Sequence, residues 1–393
     1  MARTYGFLST YPPTQCGLAT FSSALLRHLT ALAPGSWGGV VRVLDGRVLD
    51  GRVLDGRVDG PTRSTGPEVV HHLMNGVPGA VDDAAEALNR FDVAVVQHEY
   101  GIYGGRDGAD VVDVLDGLRV PIILVLHTVL AFPTRGQRRV LNDVVDRADV
   151  VVTMSETAAH RLLDDYTVEQ PDKVVVIPHG ALTGRPSAPA RRAGRRPVIL
   201  TWGLLGRGKG IEWGIEALAG LRDLTPTPLY LVAGQTHPRV LAHEGEAYRD
   251  SLRCTAAAFG VADLMEFDST YRDVGALMDL INQADVVLLP YDSSEQVTSG
   301  VLIEALAALR PVVATEFPHA SELLAGGTGL LVAHRDPAAI TRALRRVLTE
   351  PGLAAHMTRK AARLAPTLRW PAVAARYREL AESLVAARAQ IAI

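Results

Sequence analysis

Two short stretches hold residue types that can bind an anion: Gln296-Val-Thr-Ser-Gly-Val-Leu-Ile-Glu304 and Trp202-Gly-Leu-Leu-Gly-Arg-Gly-Lys-Gly210. The first follows an apolar run, Asp285 to Tyr291, and enters another, Val301 to Leu309. A strand, a turn containing Gly300 and a helix start are expected there. The first N–H groups of a helix have no partner inside it, so a helix start attracts anions. Glu304 falls about one turn into that helix, where a carboxylate accepts hydrogen bonds from sugar hydroxyls. In the second stretch, glycines 203, 206, 208 and 210 allow close backbone approach. Arg207 and Lys209 bring positive charge to another helix start, which is what a departing diphosphate requires. Taken alone, the second stretch also fits a tight strand-to-helix turn with two solvated cations. The pair in one half of the chain favours phosphate.

Such stretches work only at the ends of strands. Apolar runs expected as strands in the first half are Tyr5–Ser9, Phe91–Gln97, Pro121–Leu126, Asp149–Thr153 and Lys173–Ile177. Helical patterns separate them, at Leu18–Leu32, Asp107–Leu118, Arg135–Ala148 and after Ser155-Glu156. The second half repeats the alternation. Its expected strands are Val198–Thr201, Leu229–Ala233, Leu264–Phe267, Asp285–Leu289, Pro311–Thr315 and Gly329–Val332. Its expected helices are Ile211–Leu221, a long one over Arg239–Phe259, Val274–Gln283, Val301–Leu309, Asp336–Leu348 and an amphipathic Trp370–Ala389. Ser321-Glu322 is expected to lead a short apolar turn. Strands alternating with helices imply parallel sheets covered on both faces, with ligands at the carboxyl ends of the strands. His98, Glu99, His127 and His179 fall at such ends. So does the loop Thr10-Tyr-Pro-Pro-Thr-Gln-Cys-Gly17, which lacks the G-x-G-x-x-G dinucleotide fingerprint.

The expected architecture is α/β, with two doubly wound Rossmann-like domains facing across a cleft. Residues 1–182 form the first domain and 198–368 the second. Residues 183–197, rich in proline and arginine, form a linker. Residues 369–393 are a final helix packing back on the first domain. Within the first domain Arg42-Val-Leu-Asp-Gly46 recurs twice in full and once shortened, through Gly60. Its five-residue period suits neither helix nor strand, and Asp-Gly favours turns, so residues 42–60 are expected as a surface insertion. Its aspartates lack the EF-hand spacing.

Composition narrows the class. A chain of 393 residues exceeds one ordinary core. A net charge of −3 gives no electrostatic case for nucleic acid. Two distant cysteines, Cys16 and Cys254, make no metal-ligand pattern and fit a reducing cytoplasmic setting. The amino-terminal apolar run is too short for a secretion signal, and no run approaches a membrane span. Any membrane contact is expected to be peripheral, at the inner face.

In order and spacing these motifs resemble glycosyltransferase family 4, the retaining nucleotide-sugar enzymes of the GT-B fold. The resemblance covers nearly the whole chain. It rests on Tyr11 to Gly17, Val152 to Glu156, Val176 to Gly180 and Gly203 to Gly210. Ala284-Asp285 with Leu289-Pro290, Gln296 to Glu304, Pro311 to Ala314 and Gly329 to Val332 complete it. The resemblance implies that Lys209 binds the donor diphosphate and that Glu304 holds the ribose hydroxyls. The family's arginine after the first glycine is Leu204 here, with Arg207 three residues on as a replacement. The first glutamate of the family's Glu-x7-Glu motif is Gln296, which would meet the donor sugar as a neutral amide. The N–H groups of Ser299, Gly300 and Val301 would meet phosphate or sugar oxygens. Gly17 would face the donor or acceptor, and His127 the donor sugar. His98 and Glu99 are candidates on the acceptor side.

The implied reaction moves a hexose from a nucleotide diphosphate sugar to an acceptor hydroxyl, with retention, no metal and no cofactor. GDP-mannose, UDP-glucose and ADP-glucose all fit the motifs. A nucleotide-sugar epimerase, a glycoside phosphorylase and a catalytically weak sugar-nucleotide-binding protein are the alternatives. No phosphate or pyridoxal site for the phosphorylase is visible in the sequence.

Overall fold

A computed structural model of the chain describes residues 2–45, 69–181 and 194–391. They form two compact units. One comprises Met1–Gly180 with Trp370–Ile393, the other Ala181–Arg369.

The first unit runs β1 (Thr4–Ser9), α1 (Gly17–Ala31), β2 (Trp37–Leu44), β3 (Val69–Met74), α2 (Ala80–Leu88), β4 (Val93–His98) and α3 (Asp110–Asp116). It continues with β5 (Ile122–Leu126), α4 (Arg135–Arg147), β6 (Val150–Thr153), α5 (Glu156–Asp165) and β7 (Val174–Val176). All seven strands are parallel, in the order β3-β2-β1-β4-β5-β6-β7. β4 and β5 are buried at every residue, as expected of strands covered on both faces. Local chemistry sets the helix starts. Thr134 and Gln137 form a reciprocal capping box on α4, and the Ser155 hydroxyl accepts the Ala158 N–H at the start of α5.

The second unit runs β8 (Val198–Trp202), α6 (Ile211–Leu218), β9 (Leu229–Ala233), α7 (Pro238–Glu244), α8 (Ala247–Ala258), β10 (Met265–Asp268) and α9 (Val274–Gln283). It continues with β11 (Val286–Leu289), α10 (Gly300–Ala307), β12 (Val312–Thr315), α11 (Pro318–Leu324), β13 (Gly329–Val332), α12 (Pro337–Thr349) and α13 (Leu353–Leu368). The sheet order is β10-β9-β8-β11-β12-β13. Asp285 fixes one end of it, accepting the Val198 N–H at 2.7 Å and pairing with Arg195 at 2.6 Å.

In each unit the strand order reverses beside the first strand, between β1 and β4 and between β8 and β11. In doubly wound sheets such a reversal, at the carboxyl edge, is where ligands bind. The two doubly wound parallel sheets agree with the architecture expected from the alternating pattern.

The last helix, α14 (Trp370–Ile391), belongs to the first unit. Trp370, Val373, Ala374, Tyr377 and Ala381 join the core of α1 and the central strands. Trp370 lies so close to Gly180 that a β-carbon at 180 would fall on the indole.

Several elements differ from expectation. Arg42–Leu44 are not insertion but the end of β2. The preceding Gly-Gly-Val-Val extends the repeat's Val-Leu into one strand that pairs with both β1 and β3. Residues 46–60 of the repeat, and 183–193 of the expected linker, lie outside the described residues. The long helix at 239–259 is two helices, divided at Gly245, whose φ is +61°. α3 starts late because Asp107, at φ 58°, breaks helical geometry. Ser321-Glu322 sit inside α11 rather than before a turn. β2, β3, α2 and α13 have no counterpart in the sequence reading.

Candidate functional site

The two motif stretches flank the reversal point of the second sheet. The 203–210 loop leaves the end of β8, and the 296–304 stretch leaves the end of β11 and runs into α10. Gly203, at φ +118°, brings its backbone to the start of α10: a β-carbon there would lie 3.7 Å from the Val301 methyl Cγ2. The Trp202 indole N–H donates to Glu304 Oε2 at 3.2 Å. Burial pushes the Glu304 carboxyl up to about 7, while the Trp202 bond pulls the other way.

The glycine loop is laced to the segment after β11. The Asp292 N–H donates to the Gly208 carbonyl at 2.9 Å, and the Trp213 indole N–H donates to Asp292 Oδ1, also at 2.9 Å. Gly210 sits at φ +62° so close to Pro290 that a β-carbon would fall on the Pro290 carbonyl oxygen. Lys209 Nζ is 4.3 Å from the centre of the Tyr291 ring, and Tyr291 stacks on Phe317. Arg207 turns elsewhere. Its guanidinium pairs with Glu244 at 3.0 Å, lies 5.9 Å from the Tyr248 ring centre and is largely exposed. As arranged, Lys209 is the cation of this loop not committed to a carboxylate among the described ion pairs.

Ser299 caps α10: its hydroxyl accepts the Leu302 N–H at 3.3 Å. Its own N–H corrects the expectation, because it donates to His319 Nδ1 at 2.8 Å and so is not offered to a phosphate. Gly300 and Val301 supply the first N–H groups of α10. Gln296 Nε2 donates to the Thr298 carbonyl at 3.1 Å.

In the first unit, Gly17 opens α1 with Cys16 as its cap, the thiol accepting the Ala19 N–H at 3.4 Å. No described heavy atom lies within 4 Å of where a Gly17 β-carbon would be, so packing does not demand glycine there. His127 Nε2 and Gln97 Oε1 are 2.7 Å apart. The two side chains share one hydrogen bond, whose direction follows the imidazole tautomer. Burial, with His179 and His98 nearby, lowers His127 to about 3. Burial lowers His98 to about 4; His179 also falls to about 4, although its bond to the Gly180 carbonyl favours the charged form. All three are neutral at pH 7. His98 is 1% exposed with its ring edge-on to Tyr100. Glu99 is half-buried and accepts the Thr128 hydroxyl.

Trp202 and His319 were not singled out from the sequence as partners of the motif. The visible signals were an aromatic residue at a strand end and a histidine just past the β12 run. Their targets lie 102 and 20 residues away. Among the described residues, no three His, Cys, Asp or Glu side chains gather so as to hold a metal ion. No helix among them is long and apolar enough to cross a membrane.

Comparison with known proteins gives this geometry a family. Residues 41–185 match the model "Glycosyltransferase Family 4", and residues 196–350 match "Glycosyl transferases group 1". A D-inositol 3-phosphate glycosyltransferase of Acidothermus cellulolyticus is 32% identical over 277 residues, which is 64% of this chain and 59% of that protein. The chain therefore spans about three fifths of that relative's length. The crystal structure of Anabaena HepE with UDP-glucose superposes with a TM-score of 0.71 at 16% identity, covering 97% of this chain and 100% of that one. Sucrose-phosphate synthase of Thermosynechococcus elongatus gives 0.72 at 18% identity, covering 98% and 100%. The two matched models adjoin in chain order, one on each parallel sheet, and the chain belongs to glycosyltransferase family 4, with the GT-B fold.

Proposed function

We propose that the chain transfers a hexose, glucose or mannose, from a nucleotide diphosphate sugar to a hydroxyl group, with retention at the anomeric carbon and without a metal. One observation carries this reading: Glu304, one turn into α10, accepts a hydrogen bond from Trp202 at the end of β8, beside the reversal point of the second sheet. Glu304 accepts the ribose hydroxyls. The diphosphate lies against the Gly300 and Val301 N–H groups and Lys209. Gln296 meets the sugar. As the bond from the anomeric carbon to the diphosphate oxygen breaks, Lys209 and the helix start take up the charge. The acceptor oxygen bonds the same face of that carbon, and its proton passes to the departing phosphate.

Among GDP-mannose, UDP-glucose and ADP-glucose, the HepE complex supports UDP-glucose. The name of the Acidothermus relative supports a small polyol phosphate as acceptor. The free thiols Cys16 and Cys254 suit a cytoplasmic protein, with any membrane contact peripheral.

The test is a melting-temperature panel with UDP, GDP and ADP and their glucose and mannose conjugates, followed by product analysis. A rise with one base, and sugar transfer from its conjugate, is expected. No rise with any of them at millimolar concentration overturns the reading. Free monosaccharide with an altered C2 configuration marks an epimerase instead.

A further inference from the structure

His319 stands at the start of α11, 1% exposed. Two hydrogen bonds of opposite direction join it to the motif stretch. Its Nδ1 accepts the Ser299 N–H at 2.8 Å, and its own backbone N–H donates to the Gln296 carbonyl at 3.3 Å. Together they close Gln296–Ser299 into an arch, within which Gln296 Nε2 holds the Thr298 carbonyl. Ser299 is also the cap of α10, so its placement sets the direction of the Gly300 and Val301 N–H groups and, one turn on, of Glu304.

We propose that His319 is a positioning residue for donor binding. Its neutral ring, with the proton on Nε2, offers the Nδ1 lone pair to Ser299 and so aims the start of α10 at the donor diphosphate. A protonated Nδ1 cannot accept that N–H. The inference rests on the donor-site reading above and adds a residue that never touches the donor. The imidazole is specific to the role in a way that bulk is not: asparagine places an oxygen where Nδ1 stands, whereas alanine leaves the buried Ser299 N–H without its acceptor.

The experiment compares full-length wild type, His319→Ala and His319→Asn, using UDP, GDP and ADP as calorimetric probes and the matching sugar conjugate for kinetics. With His319→Ala, Kd for the preferred diphosphate and KM for its conjugate are expected to rise about tenfold or more, the equivalent of one lost hydrogen bond. Under saturating donor, kcat falls far less. His319→Asn is expected to recover affinity to within about threefold of wild type, as the retained bond predicts. Nitrogen-15 NMR of histidine-labelled wild type gives a reading independent of how the variants fold: Nδ1 of His319 is unprotonated. A protonated Nδ1, wild-type affinity in His319→Ala, or an asparagine variant as weak as the alanine one each overturns the proposal. If wild type itself binds none of the three diphosphates, the donor-site reading fails and this proposal falls with it.

Discussion

Trp202 and Glu304, 102 residues apart, meet through one hydrogen bond at the point where the second sheet reverses its strand order. That bond ties the end of β8 to α10 and stabilises the charged form of a carboxyl that burial pushes up to about 7. Donor binding should therefore strengthen as pH rises through about 7, because ionised Glu304 is the better acceptor for ribose hydroxyls. Trp202→Phe removes the bond and moves the midpoint to higher pH. Titrating the Kd of the preferred diphosphate between pH 6 and 9 checks both shifts. A profile that is the same in the two proteins rejects the assignment.

The same carboxyl makes a prediction about stability. The folded-state value stands above the ordinary 4.5, so the proton on Glu304 favours folding at low pH. That contribution is lost as pH rises from about 4.5 through about 7. The raised value corresponds to at most about 3 kcal/mol. Glu304→Gln escapes the penalty and should melt a few degrees above wild type at pH 8, while losing donor affinity at least about tenfold. Calorimetry at pH 5 and pH 8 separates this from a general packing effect, since the gain should shrink at the lower pH.

The two cations of the glycine loop should behave differently. Lys209→Ala should cut transfer about a hundredfold or more if the ammonium carries leaving-group charge. Its melting temperature should fall only slightly, by the loss of a contact with Tyr291 worth under about 1 kcal/mol. Arg207→Ala, which removes an exposed pair with Glu244, should change turnover less than about threefold. Equal losses from both substitutions would show that Arg207 leaves Glu244 to reach the donor.

In the first unit three strand-end histidines, one buried and two half-buried, set the acid limit. His98, His127 and His179 are held neutral, near 4, 3 and 4, against an ordinary 6.5. The stability this represents is present above about 6.5 and is lost as pH falls toward those folded values. Each proton taken up on unfolding steepens the loss by about 1.4 kcal/mol per pH unit. Denaturant titrations from pH 7 to pH 5 should show a decline that is reduced in His127→Asn. A flat curve over that range would mean the rings are not held neutral.

Gly210 has two independent reasons to remain glycine: a positive φ and the Pro290 carbonyl oxygen in the place of a side chain. Gly210→Ala should cost several kcal/mol, on the order of 3 or more, because backbone rather than a flexible side chain must move. Gly17→Ala meets no described neighbour and should leave the melting temperature unchanged, so any loss of transfer there reads on ligand approach. An unstable Gly17→Ala variant would undo that use.

The alternation of strands and helices was legible because its signals are local. Buried strands read as unbroken apolar runs, and Ser155 and Asp336 announce the helices they cap. The motif glycines were legible for the same reason. β2 was not, because it runs into the Arg-Val-Leu-Asp-Gly repeat, whose five-residue period hides a strand. Gly245 divides what reads as one helix, yet isolated glycines often sit inside helices, so the sequence offers no sure sign of the break. Trp202 and His319 were out of reach for another reason. Each acts on a group that only the folded sheet brings near, and neither residue type distinguishes a structural strand end from a hand on the donor loop. Arg207 shows the converse: a cation in the right place in the sequence, drawn off by a glutamate 37 residues on.

The division of the chain also sets an order of biosynthesis. The core of the first unit includes Trp370, Val373, Ala374, Tyr377 and Ala381, so the unit that starts to emerge from the ribosome first is the last to be completed. Residues 181–369 can fold while the earlier sheet still waits for α14 to cover α1. Until then the nascent chain exposes an apolar strip along that helix. A released chain truncated after Arg369 should therefore present a folded second unit beside an incomplete first one, a state in which chaperones and proteases find their target in the amino-terminal half.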